Sequence, residues 1–149
     1  MLDWIKNLAE DARGALETQI ARFQNREFME AVIAGCAMVA ASDGNISPEE
    51  KQKMMGYMRV SRELRVFRTE EVISTFNRFA ESYAFDKTIG DGEAEKAIRK
   101  LADKADASAA MIRVCCIIGA ADGTFDDGEK QTVRNICAMV HQPPASFGL

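Results

Sequence analysis

One unit occurs twice in this chain, and that constrains its fold more than any other feature. Residues 41–52 align without a gap on residues 120–131. Asp43 falls on Asp122, Gly44 on Gly123, Ile46 on Phe125, Ser47 on Asp126, Glu50 on Glu129, Lys51 on Lys130 and Gln52 on Gln131. Upstream, the apolar run Ala31 to Val39 lies over Ala110 to Ile118. The repeated unit reads as apolar helix, acidic Asp-Gly turn, second helix. Internal repetition outranks local signals when a fold is assigned.

The turns have a local explanation. Ser47 and Asp126 are good N-caps, and Glu50 and Glu129 stand three residues later, the spacing of a capping box. Pro48 suits the first helical position. Gly44 and Gly123 suit the left-handed position that ends a helix. On this reading the acids are helix punctuation, each cap contributing roughly 1 kcal/mol. A second reading stays open beside it. Asp43 and Asp122 follow apolar helices, next to carbonyls that already carry partial negative charge, where an acid is disfavoured. Asp126, Asp127 and Glu129 add to the crowding, which a hard cation bound by oxygen would relieve. The turns are not EF-hand loops. Counting from Asp43, position six is Pro48 and position twelve Met54; from Asp122 they are Asp127 and Val133. An EF-hand needs Gly and Glu there.

These motifs resemble the tellurite-resistance TerB family. The resemblance rests on Ala41 to Gly44 with Glu49 to Met54, on Asp122 to Asp127 with Glu129 and Lys130, and on the end Ala145 to Leu149. Glu63 to Phe67, Glu71 to Ile73, Ile89-Gly90 and Gly92-Glu93 fit the same pattern, so it covers nearly the whole chain. It implies an all-helical, pseudo-symmetric domain. It also implies a role in resistance to tellurite, a divalent-cation site at the acidic turns, and assembly with membrane-associated resistance proteins. One departure is Gly128, which stands where relatives commonly carry an acid.

The remaining chain is consistent with a single helical domain. Its 149 residues suffice for one core. A net charge of −4 argues against sequence-independent nucleic-acid binding. No apolar run is long enough for a transmembrane helix, and the start lacks the features of a secretory signal. The expected location is the cytosol, with peripheral contact at the inner membrane open. Leu2, Ile5, Leu8, Ala12, Leu16, Ile20 and Phe23 recur at helical spacing, predicting a helix over about residues 2–21 with Gly14 as its weak point. Repeat one is expected over about 27–60 and repeat two over about 107–140. Their apolar helices, one from each repeat, form the expected central pair. Thr69 reads as the cap of a helix running to Tyr83. Phe85 to Glu93 reads as the longest linker, with a helix from Glu93 to Lys104.

An enzyme is not expected. His141 is the single histidine, and no phosphate loop, nucleophile elbow or metallohydrolase motif occurs. Cys36, Cys115, Cys116 and Cys137 lie in apolar helices without a Cys-x-x-Cys pair, so they read as small hydrophobes. The expected architecture is therefore all-α, a single domain of about seven helices built from two helix–turn–helix repeats. The leading function is a binding and assembly module in which Asp43, Glu50, Asp122 and Glu129 hold Ca2+ or Mg2+. Asp126 and Asp127 are further candidates, with Glu49 weaker on the same acidic face. The alternatives are thiol-based or enzymatic handling of the oxyanion, and a scaffold in which every acid is a cap. A pseudo-twofold axis parallel to the central helices would give one shared site, and a perpendicular axis would give two.

Overall fold

The computed structural model describes residues 2–149; Met1 lies outside the described residues. Every regular element among them is helical: α1 (Asp3–Lys6), α2 (Glu10–Arg22), α3 (Arg26–Ala40), α4 (Pro48–Val60), α5 (Thr69–Phe85), α6 (Lys87–Arg99), α7 (Ala105–Gly119) and α8 (Asp127–Met139), then a short 3-10 helix (Pro144–Phe147). The all-α expectation holds, with eight α-helices among the described residues where about seven were expected.

Helix α3 is the hub. It touches α4, α5, α6, α7 and α8, and eleven of its fifteen residues are buried. A helix that is apolar all round must be enclosed in this way. Its repeat mate α7 crosses it closely because of Gly35. A Cβ there would stand 2.5 Å from the Cys115 Sγ, and that thiol donates to the Val32 carbonyl at 3.5 Å. Further along, Val39 packs against Gly119. The two helices therefore advance in the same sense and deliver both Asp-Gly turns to one end of the bundle. This is the parallel-axis arrangement.

Three local expectations are corrected. The N-terminal helix is two helices, broken at Asn7 to Ala9 rather than at Gly14. Phe85 to Glu93 is not a linker. The Asp86 side chain accepts from the Thr88 and Ile89 N–H groups and starts α6 at Lys87. Asp91-Gly92 thus lies inside a helix, where Asp91 accepts from the Tyr83 hydroxyl at 2.7 Å. Burial, reinforced by Asp91, pushes the Tyr83 phenol well above its ordinary range. Thr69 is the first residue of α5, and Arg68 takes the cap position without a side-chain bond.

Helix α2 buries little, Leu16 and Ile20 only, and polar bonds complete its attachment. Arg13 grips Glu63 with Nε at 2.8 Å and Nη2 at 3.3 Å. Glu63 is 1% exposed and also accepts from the Ser61 hydroxyl at 2.9 Å. Arg62 pairs with Glu10 and Glu17. At the other end, the Trp4 indole donates to the Phe147 carbonyl at 2.8 Å, tying α1 to the C-terminal turn.

Two predictions follow from this packing. Arg13→Ala leaves the Glu63 carboxylate buried without its cation and should cost roughly 3 kcal/mol; Arg26→Ala, at an exposed pair with Glu30, should cost under about 0.5 kcal/mol. Urea unfolding midpoints of the two variants check the contrast. Gly35→Ala should cost about 1–3 kcal/mol by overpacking the α3–α7 crossing, read from the same curves.

Candidate functional site

The two turns share the same backbone bonds. Ala41 N–H donates to the Ala37 carbonyl at 3.0 Å, and Ala120 N–H to the Cys116 carbonyl at 2.9 Å. Gly44 N–H reaches the Ala41 carbonyl at 2.9 Å, and Gly123 N–H the Ala120 carbonyl at 3.0 Å. Both glycines have positive φ, 110° and 90°, a conformation that side chains with a Cβ disfavour. Asp43 Oδ1 accepts from Asn45 N–H at 3.4 Å. Asp122 Oδ1 accepts from both the N–H and the hydroxyl of Thr124, at 3.0 and 2.9 Å.

The helix starts that follow are not alike. Asp126 and Glu129 form a complete capping box: Asp126 Oδ1 accepts from Glu129 N–H at 2.7 Å, and Glu129 Oε1 accepts from Asp126 N–H at 3.1 Å. In the first repeat only half exists, with Ser47 Oγ accepting from Glu50 N–H at 3.1 Å. The expectation of two capping boxes is corrected on this point. The Glu50 side chain has no part in the cap, and it lines the space between the turns instead.

That space is a cleft of about 270 Å³. Its rim carries Asp43, Glu50, Asp122, Asp126 and Glu129, and Val39, Ala40, Ile118 and Gly119 contribute apolar lining from the ends of α3 and α7. Asp127 and Glu49 are exposed on the first turns of α8 and α4 and do not line it. Lys53, Met54 and Tyr57 line it as well. The sequence reading passed over Lys53 and Tyr57 as site residues, although their spacing from Glu50 puts all three on one helix face. Thr124 was also missed, and its small hydroxyl holds Asp122 in place.

The electrostatics are those of crowded acids above an apolar base. Burial pushes the half-buried Glu129 carboxyl up to about 7, and the charges of Asp126 and Asp122 push the same way against the Asp126 N–H. Among the described residues, no three His, Cys, Asp or Glu side chains stand close enough together to hold a metal ion. The donor chemistry nonetheless suits a hard cation, because every rim acid offers oxygen. Asp43 and Asp122 sit in exposed turns.

Comparison with known proteins supports the same family. The profile of the family described as Tellurite resistance protein TerB matches residues 29–149. The chain belongs to the TerB family. A curated relative, "Tellurium resistance protein TerB" from Alcaligenes sp, is 42% identical over 112 residues, which cover 75% of this chain and 92% of that protein. No solved structure matches the chain. The TerB match takes in both acidic turns and all of α4 to α8, and begins inside α3, so α1 and α2 stand outside it.

The raised Glu129 carboxyl makes a stability prediction. The folded state holds this proton more tightly than the unfolded chain, so stability falls as pH rises from about 4.5 to about 7 and the cost is complete above that. Glu129→Gln keeps an oxygen for the Asp126 N–H and removes the charge. It should match the parent at pH 4 and exceed it at pH 8 by on the order of 1 kcal/mol, allowing for solvent screening. Denaturant unfolding at the two pH values measures the difference.

Proposed function

We propose that this TerB-family protein serves tellurite resistance as a non-catalytic binding module whose cleft takes one divalent cation, Ca2+ or Mg2+. The convergence of both Asp-Gly turns on one cleft carries this reading. Asp43, Glu50, Asp122, Asp126 and Glu129 are the available oxygen donors. Asp43 and Asp122 would move inward on their turns, and Glu50, free of any capping bond, would reach from α4. Glu129 would contribute once deprotonated. Asp127 and Glu49, outside the cleft, would shape the acidic face around it.

The cation would relieve two costs at once. It would offset the burial and the smaller acid repulsion that together hold the Glu129 carboxyl up to about 7, and it would compensate the acids placed after two helix C-termini. Ca2+ accepts six to eight flexible oxygen ligands, whereas Mg2+ keeps several waters in a stricter octahedron. An open rim suits either. A loaded cleft would present a fixed acidic face to partner proteins. The family likeness supports reading these partners as membrane-associated resistance proteins, met in the cytosol or at the inner membrane. No helix among the described residues is long and apolar enough to cross a membrane.

Calorimetric titration with Ca2+ and with Mg2+ tests the reading. One ion should bind per chain, and Asp43→Asn/Asp122→Asn together should abolish the binding. Because one proton must leave Glu129, affinity should be about tenfold weaker at pH 6 than at pH 8. Absence of heat with either ion up to millimolar concentration would reduce the acids to helix caps.

A further inference from the structure

Helix α7 turns a second face outward, away from α3. Arg113, its only cation, stands two residues before Cys115 and so about 200° around the helix. Its repeat equivalent on α3 is Ala34, which is fully buried. Arg113 instead lines an open groove of about 570 Å³ whose other wall is α2. On α2, Ala12, Ala15, Leu16, Gln19 and Arg22 fall at helical spacing on the face that lines this groove. The groove shares no lining residue with the acidic cleft.

The charge of this groove is opposite to that of the chain. Arg22 and Arg113 line it and no acid does, although the net charge of the protein is −4. Arg13, Arg26, Arg62, Arg68, Arg78 and Arg99 are paired with carboxylates, whereas neither Arg22 nor Arg113 forms an ion pair among the described residues. Arg113 is half-buried, with its guanidinium 5.3 Å from the centroid of the Phe147 ring. Phe147 is buried and is itself held by the Trp4 indole on its carbonyl. A guanidinium set on a fixed ring is oriented before a ligand arrives, which lowers the entropy cost of binding.

We propose that this groove binds a small phosphate monoester, with the dianion on Arg113 and Arg22 and the organic substituent on Ala12, Ala15 and Leu16. The charge count selects the dianion. Two guanidiniums carry two positive charges, and a phosphate monoester carries about two negative ones above its second pKa of about 6. A carboxylate would leave one guanidinium unmatched. Guanidinium forks also match phosphate oxygens bidentately. Gln19 adds a neutral amide donor, while the Thr18 hydroxyl is already committed to the Gly14 carbonyl. Ala12 and Ala15 are exposed beside buried Leu16, an apolar floor that suits carbon rather than a second charge. The volume lies within the range of small-molecule sites. Because α2 buries only Leu16 and Ile20, a ligand held from both helices would fasten α2 to the bundle.

The test is calorimetric titration of the metal-free protein, at about pH 8 so that the ligand is a dianion, with phenyl phosphate and with inorganic phosphate. Phenyl phosphate should bind once per chain, about tenfold tighter than inorganic phosphate because of the apolar floor. It should also slow hydrogen exchange of the α2 amides. Arg22→Met and Arg113→Met keep an aliphatic stem and should each weaken binding about tenfold. Arg59→Met, at an exposed arginine of α4, should bind as the parent does. Circular dichroism confirms that each variant remains helical; should Arg113→Met unfold, Arg22→Met at its exposed position decides. The proposal is overturned if phenyl phosphate at millimolar concentration gives neither heat nor slower exchange, or if folded Arg22→Met and Arg113→Met bind as tightly as the parent. An equal loss in Arg59→Met would overturn it too, as would phenyl phosphate binding no tighter than inorganic phosphate. Retention on vesicles of phosphatidic acid without binding of phenyl phosphate would assign the groove to a membrane surface and overturn the small-molecule reading.

Discussion

The contact between α3 and α7 governs this structure. Each helix is apolar on nearly every side, and neither can be left in water. They meet where Gly35 makes room for Cys115, and they advance in the same sense. That single geometric fact sends both acidic turns to one end. The other helices complete the enclosure: α5, α6 and α8 close around α3, while α2 lies across α7. Any expansion of this crossing would separate the turns and thin the wall between cleft and core.

The acidic cleft is an electrostatic consequence of that packing. Two turns that would each be tolerable alone in water are brought to a common rim, where carboxylates repel and part of the surrounding water is lost. The repeats respond differently. In the second, Asp126 and Glu129 share a complete capping box, and Glu129 holds its proton to about 7. In the first, Ser47 replaces the cap carboxylate, and Glu50 is left free to face the cleft. Duplication followed by such divergence yields one anchored acid and one free acid on the same opening.

The segment ahead of the TerB match is held by a different kind of force. Helix α2 buries two side chains, too few for apolar packing to fix it alone. Arg13 on buried Glu63, Arg62 on Glu10 and Glu17, and Trp4 on the Phe147 carbonyl join it to two distant parts of the chain. Such pairs confer register more than net stability, because desolvation offsets much of the attraction. The core thiols sit at the other extreme of polarity. Burial pushes Cys116 up to about 12 and Cys137 to about 11, which makes them packing residues rather than nucleophiles.

The sequence by itself determined the helical class, the duplicated unit, the Asp-Gly turns and the TerB likeness. These depend on periodicity, on capping residues and on the freedom of Gly44 and Gly123, all of which act within a few residues. It misread Phe85 to Glu93 because Asp-Gly is common turn chemistry, whereas Asp86 captures the Thr88 and Ile89 N–H groups and Tyr83 takes Asp91 into its bond. It named seven acids and could not say which would meet. The tertiary structure chose Asp43, Glu50, Asp122, Asp126 and Glu129 for the cleft and left Asp127 and Glu49 outside. It also set Gly35 against Cys115 and paired Arg13 with Glu63. The physical reason is that only the relative direction of two packed helices decides which ends share a side, and that direction is fixed by side-chain contacts between residues far apart in the chain.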